Sequence, residues 1–183
     1  LNVTGTSNLE NLNVSGPATF ECDVFVGCNL YLNATTSPAI GNIYKDFTTP
    51  FLHDYGIDNL FMGPNAGNFS LGISTKNIGI GNSALLSFTT GINNVAIGYH
   101  AGRLIQGGQG NVAIGTEALK TNVSGDNNFA IGSETLKVAT GGKNMAVGTL
   151  SMQQTTTGDN NCAVGYYTLN GNTIGASNTA IGN

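Results

Sequence analysis

The chain has 183 residues and a net charge of −4, with 27 glycines and only 9% charged residues, against about 25% in a typical soluble protein. Its six Lys and Arg residues form no basic cluster, so the composition argues against nucleic-acid binding, which needs clustered cations to contact phosphates. No apolar run approaches the roughly 18 residues of a membrane span, so we expect no membrane insertion.

The first predicted element is a β-rich stem over residues 1–34. It contains three short alternating segments, Leu1 to Gly5, Leu12 to Gly16 and Val24 to Gly27, each of which ends at a glycine. So few residues cannot enclose a core alone. Three identical chains wrapped around an axis are one natural solution.

Cys22 and Cys28 lie in this stem, six residues apart on a mostly extended stretch. Fully extended, that distance is about 20 Å, whereas a disulfide needs Cα atoms within about 7 Å. A bridge within one chain would need a sharp reversal, but a bridge between neighbouring chains would not. Two alternatives stay open: interchain Cys22–Cys28 bridges, or free thiols.

Residues 35–58 break the stem pattern with two prolines and an aromatic cluster that includes Tyr44, Phe47 and Phe51. The end of a β-solenoid exposes an open strand edge, which invites aggregation unless it is covered. We therefore predict a neck or cap here. The pair His53-Asp54 is expected to form a hydrogen-bonding clamp rather than a catalytic pair.

Eight repeats follow in residues 59–183, each with a segment that opens on Asn and ends on Gly. The apolar positions alternate with period two, which is typical of strands, and a second Gly lies in each polar turn. The sequence predicts an all-β fold, a parallel β-solenoid of eight coils of about 17 residues, each with two short strands, truncated at the C-terminus. The terminal glycines that set this nearly constant interval are Gly63, Gly81, Gly98, Gly115, Gly132, Gly148, Gly165 and Gly182.

Stacking places equivalent residues in columns. The Val, Ile, Phe and Met positions are expected to be buried between coils, with Cys162 among them, and the Asn column is expected to form an amide ladder. The alanines, such as Ala96, fall on the opposite face, where small side chains permit close approach across a thin solenoid or against another chain. The structural positions are Asn94, Gly98, Asn111, Gly115, Asn128, Gly132, Asn144, Gly148, Asn161 and Gly165.

The Asn-Val-Ala-Ile-Gly segments at 94–98 and 111–115 resemble the head repeats of trimeric autotransporter adhesins, the YadA-like left-handed parallel β-roll. They are equally similar to repeats in phage and viral fibre proteins, and the segments at 1–16 resemble the β-prism stems of those fibres. The resemblance implies a homotrimer on a cell-surface appendage or virion fibre, with an attachment or scaffolding role. The adhesin repeat is usually shorter than the present one.

Several chemical functions find little support. A dinucleotide-binding pattern is matched formally by Gly79-Ile-Gly81-Asn-Ser-Ala84. The match arises from the solenoid repeat itself, and the helix that the motif requires after its strand is not expected there. Asp126 and Asp159 are too isolated for a calcium column, because equivalent turns hold Ile, Gln and Lys. With two histidines and no nucleophile motif, we expect no enzyme, no cofactor and no metal site; an enzyme on a right-handed β-helix is the last alternative.

Binding is expected to involve the chain itself, as a homotrimer or a head-to-tail extracellular filament joined by strand addition through residues 1–34. A host-surface protein or glycan is the expected receptor. The two residues after the terminal glycine vary most from repeat to repeat. Ordinary turn variation is sufficient to explain this, but if the head binds a receptor, exposed aromatic residues at these positions would form the contact surface. The contact residues would be Tyr99, His100, Tyr166 and Tyr167, with Thr116-Glu117 and Ser133-Glu134 in the coils between them. Because Glu117 and Glu134 stack one coil apart, we expect them to repel each other mildly.

Overall fold

The computed structural model describes residues 43–44, 50–67 and 74–183. The predicted stem over 1–34, with Cys22 and Cys28, lies outside these residues. The described part contains ten strands and no helix. The strands are β1 (Ile43–Tyr44), β2 (Pro50–His53), β3 (Leu60–Met62), β4 (Ile78–Ile80), β5 (Val95–Ile97), β6 (Val112–Ile114), β7 (Phe129–Ile131), β8 (Met145–Val147), β9 (Cys162–Val164) and β10 (Thr179–Ile181).

All ten strands belong to one sheet in chain order, and the eight strands from β3 to β10 are parallel. Each strand pairs in register with the equivalent strand of the next repeat, so that Val95 pairs with Val112 and Ile97 with Ile114. The chain therefore winds once per repeat, and seven turns join the eight strands. The predicted all-β parallel β-solenoid is confirmed.

Each coil contains one three-residue strand rather than the two that the repeat predicts. The remaining residues form turns, because several of them adopt the left-handed backbone conformation that interrupts a strand. In the coil that begins at Asn111, these are Glu117 (φ +57°), Leu119 (φ +49°) and Asn127 (φ +55°). The second strand is reduced to two isolated parallel bridges, between Ile57 and Thr75 and between Thr75 and Ile92.

The strand faces are arranged opposite to the expectation. Ala96, Ala113 and the equivalent alanines as far as Ala163 are completely buried, whereas the flanking Val and Ile side chains point outward and are only partly covered. Across the coil, the alanines are faced by larger side chains such as Leu119 and Leu136, which are also fully buried. A narrow coil has room for a methyl group opposite a leucine, and Val or Ile in that place would overpack the core.

The first parallel strand does not have a free edge, because β2 pairs with β3 in the antiparallel sense and β1 pairs with β2. His53 at the end of β2 is buried, and its Nε2–H donates to the carbonyl of Ala66 at 2.8 Å. Burial lowers the pKa of His53 below 6.5, although the Ala66 hydrogen bond and the charge of Asp54 oppose this effect. The neutral imidazole therefore fastens β2 to the first turn of the solenoid.

Candidate functional site

The asparagine that immediately precedes each strand from β3 to β9 lies inside the solenoid. Oδ1 of Asn94 accepts hydrogen bonds from the backbone N–H of Asn111 at 2.9 Å and from its Nδ2 at 3.1 Å, and Nδ2 of Asn111 also donates to Gly125 O at 2.9 Å. The same pattern recurs along the column. Its members are Asn59, Asn77, Asn94, Asn111, Asn128, Asn144, Asn161 and Asn178.

These amides satisfy buried backbone groups that one coil alone would leave without partners, so the column joins neighbouring coils. Of the eight asparagines, all but Asn178 are buried. Because their amides bond to one another and to backbone groups within the solenoid, the role of the ladder is structural.

The glycines that end the strands form a second structural column, with φ values between +127° and +135° at Gly98, Gly115, Gly132, Gly148 and Gly165. Side-chain-bearing residues rarely adopt this conformation. A Cβ added to Gly98 would also lie 2.6 Å from the carbonyl oxygen of Gly115. Two independent constraints therefore require glycine at this position.

An extended feature of the described surface is the outer sheet face, which we define as the first and third residues of strands β3 to β10. Its side chains form two parallel columns about 7 Å apart. The members are Leu60, Ile78, Val95, Val112, Phe129, Met145, Cys162 and Thr179 in one column, and Met62, Ile80, Ile97, Ile114, Ile131, Val147, Val164 and Ile181 in the other.

The outer sheet face is apolar and partly open. Ile97, Phe129 and Met145 are 37%, 38% and 40% exposed, and neither column contains a charged residue. Cys162 is a half-buried free thiol on this face, so the expectation that it packs in the core is wrong. The Cys162 side chain points out of the solenoid, as do the other side chains of its column.

The predicted contact residues lie on one flank of the solenoid, which we call the turn edge: the two residues after the terminal glycine of each strand. Tyr99 stacks on His100 with ring centroids 3.8 Å apart, and Tyr166 packs beside Tyr167 at 5.9 Å. All three tyrosines are at least half exposed. The two aromatic pairs are four coils apart, which is about 19 Å, so the fold does not bring them together.

Between the aromatic pairs, the turn edge carries a network of ion pairs. Glu117 contacts Nζ of Lys120 and Nζ of Lys137, each at 2.7 Å, and Glu134 contacts Lys137 at 3.0 Å and Gln153 Nε2 at 2.7 Å. The expected repulsion between Glu117 and Glu134 is therefore relieved, because Lys137 pairs with both carboxylates and Lys120 pairs with Glu117.

These lysines are absent from the predicted contact residues, although the sequence carries a signal for them: Arg103, Lys120 and Lys137 occupy the same position in three successive repeats, which places them in one column. Hydrogen bonds from Lys120 and Lys137 lower the pKa of Glu117 to about 2. Burial and the nearby cations Arg103 and Lys120 lower the pKa of His100. His100 is therefore neutral at pH 7, and its 3.9 Å approach to Glu117 is not an ion pair at that pH.

Comparison of the chain with protein-family models, curated proteins and solved structures gave no match. In the described residues, no three or more His, Cys, Asp or Glu side chains are grouped so that they could hold a metal ion. The described part of the chain also has no helix of the length and apolarity needed to cross a membrane. The fold thus defines the class: a β-solenoid repeat protein.

Proposed function

We propose that this chain is a structural attachment protein: the surface-exposed head and stem of an extracellular fibre, on a cell-surface appendage or a virion, that assembles as a homotrimer. It serves adhesion or scaffolding by binding a host-surface protein or glycan, and it is not an enzyme. The observation that carries the proposal is the outer sheet face.

An apolar surface of this extent normally marks an interaction site. The two columns run along eight strands, which makes the face about 34 Å long at 4.8 Å per strand. Burying it would cost no desolvation of charge, because it has none. The gain from covering partly exposed side chains such as Ile97 and Met145 is therefore not offset by buried ions.

The periodicity of the face favours a second copy of this chain as its partner. Side-chain ridges repeat about every 4.8 Å along it, and an identical solenoid presents ridges with the same spacing. The two sets can interdigitate over the whole length, whereas a partner with another period would lose register after a few coils. A closed cyclic arrangement turns this face of every copy toward one axis, and the resemblance to trimeric fibres favours three copies.

The first test is Ile97→Lys, which places a charge in the middle of the outer sheet face. By mass photometry we expect the wild type to have a mass three times the 18.8 kDa of a single chain. We expect Ile97→Lys to have the mass of a monomer. The matched control is Thr116→Lys, which adds the same charge on the exposed turn edge and should stay trimeric. A monomeric wild type would contradict the proposal, and continuous fibres in electron micrographs would favour the filament alternative.

The second test uses Cys162 as a reporter of the outer sheet face. In a Cys22→Ser/Cys28→Ser background it is the only cysteine left. If the columns of neighbouring copies meet at an axis, mild oxidation should link two chains of a trimer through Cys162. Denaturing electrophoresis without reductant should then show a dimer band that is absent after a further Cys162→Ser change. Monomer alone under oxidising conditions would place the interface elsewhere.

A further inference from the structure

The coil between Gly132 and Gly148 is shorter than its neighbours by a single residue. The hydrogen bonds show where that residue is missing. Thr140 Oγ1 donates to Thr156 O at 3.0 Å, and Thr156 Oγ1 donates to Thr173 O at 3.0 Å, so these threonines are equivalent. Gly141 lies over Gly158, within the column of turn glycines. The missing residue therefore falls between Thr140 and Gly141, where adjacent coils have Ser124 and Thr157.

This shortened turn leaves a cleft of about 440 Å³ between Ser124 on one side and Thr157 on the other, which we call the turn cleft. Its volume is within the ~300–1,000 Å³ of typical small-molecule sites. Those sites are mostly apolar, but the turn cleft is lined by hydroxyl, amide and charged groups, among them Asp126, Lys143 and Asp159. An apolar ligand would gain little from such a lining.

The two carboxylates of the turn cleft are held in place by the backbone. Oδ1 of Asp126 accepts the N–H of Gln109 at 2.8 Å, and Oδ1 of Asp159 accepts the N–H of Gly142 at 2.7 Å. The second oxygen of each carboxylate is left to accept hydrogen bonds from a ligand. Lys143 supplies an ammonium donor, and it forms no ion pair with either aspartate in the described structure.

We propose that the turn cleft binds a neutral carbohydrate, a short glycan chain whose hydroxyl groups both donate and accept. Hydroxyl groups of the sugar donate hydrogen bonds to the aspartate carboxylates and accept them from the ammonium group of Lys143. The side-chain hydroxyls of Ser124 and Thr157 can donate to the sugar or accept from it. Two carboxylates against one ammonium leave a net charge of −1 around the cleft, which disfavours acidic sugars. This inference rests on the proposed function, since it assigns the glycan receptor to a place on the head.

The test applies the full chain to an array of neutral hexose and N-acetylhexosamine oligosaccharides, with sialylated counterparts as the acidic arm. One variant inserts a single serine between Thr140 and Gly141, which restores the length of the neighbouring coils and fills the cleft. We expect the wild type to bind neutral oligosaccharides and the insertion to weaken that binding at least tenfold. Binding that survives the insertion would overturn the proposal, and so would a preference for the sialylated arm.

Asp126→Asn/Asp159→Asn tests the same site without changing the length of the chain. Asn retains the Oδ1 acceptor for the backbone N–H but removes the charge that strengthens hydrogen bonds to a ligand, so about a tenfold loss of affinity is expected. The matched control is Asp58→Asn, an exposed aspartate about four coils away, which should leave affinity unchanged.

The same samples are weighed by mass photometry, which separates this inference from the proposed assembly. A trimer that binds no oligosaccharide overturns the turn cleft as a glycan site and leaves the trimeric fibre standing. A monomer that binds oligosaccharide through the cleft supports the site and contradicts the trimer.

Discussion

Gly115 shows how strongly a single residue is constrained in this fold. Its φ of +131° is almost restricted to glycine, and an added Cβ would collide with the carbonyl of Gly132 in the next coil. We predict that Gly115→Ala lowers the free energy of unfolding by about 3 kcal/mol or more, measured by chemical denaturation. The control is Gly171→Ala, because Gly171 has open space at its Cβ position and no positive φ; it should cost less than about 1 kcal/mol. Equal losses in the two variants would contradict this explanation.

At the same scale, the sequence is sufficient to find the asparagine and glycine columns but not the conformations between them. A residue type that recurs once per repeat at a strand end identifies a stacked column, since identical positions lie on top of one another. Nothing in the sequence marks Leu119 and Leu136 as left-handed residues with φ of +49°. Their burial in the core fixes this backbone conformation, and a strand pattern read from the chain alone cannot include that tertiary effect.

At the scale of the strand and its turn, the alternation in Val112–Ile114 predicts that Val and Ile share one face and Ala the other. It does not tell which face is inside. Hydrophobicity alone favours burial of the larger Val and Ile side chains. The coil is too narrow for them, because leucines such as Leu119 and Leu136 already fill the space opposite, so alanine occupies the inner face. The outer sheet face is therefore not predicted as a surface, although the sequence places its residues in apolar columns.

The ion-pair network of the turn edge makes a pH-dependent prediction. Glu117 has a pKa of about 2 in the folded chain and 4.5 as its ordinary value, so the unfolded chain binds more protons between these limits. Its contribution is complete above about pH 4.5 and is lost as the pH falls toward 2. At a fixed protein concentration, Glu117→Gln should be about 1 kcal/mol less stable than wild type at pH 7.

That difference should shrink toward zero near pH 2 in thermal or denaturant melts. It should also shrink at pH 7 in about 1 M salt, which screens partly exposed charges. A difference that stays constant between pH 7 and pH 2 would mean that Glu117 contributes through packing rather than through its charge.

For the whole molecule, the regular stacking implies that the coil is the unit of folding. Each coil bonds to the one before and the one after by the same strand register and the same Asn contacts. Removing residues 111–127 deletes one full coil and brings Asn128 to the position of Asn111, so that Val95 can pair with Phe129. The stability of such an array is approximately a sum over units and their nearest-neighbour interfaces.

We therefore predict that the chain without residues 111–127 folds into a solenoid about 4.8 Å shorter, with an unchanged far-UV circular dichroism shape and a lower melting temperature. The control removes residues 111–119, about half a coil, which takes away fewer residues but places Lys120 where the next coil requires a buried Asn. This shorter deletion breaks the strand register and should unfold the repeats that follow it. If the half-coil deletion melts as cooperatively as the full-coil deletion, the folding of the coils does not depend on their register. The contacts within the Asn and Gly columns would then contribute far less to stability than their geometry indicates.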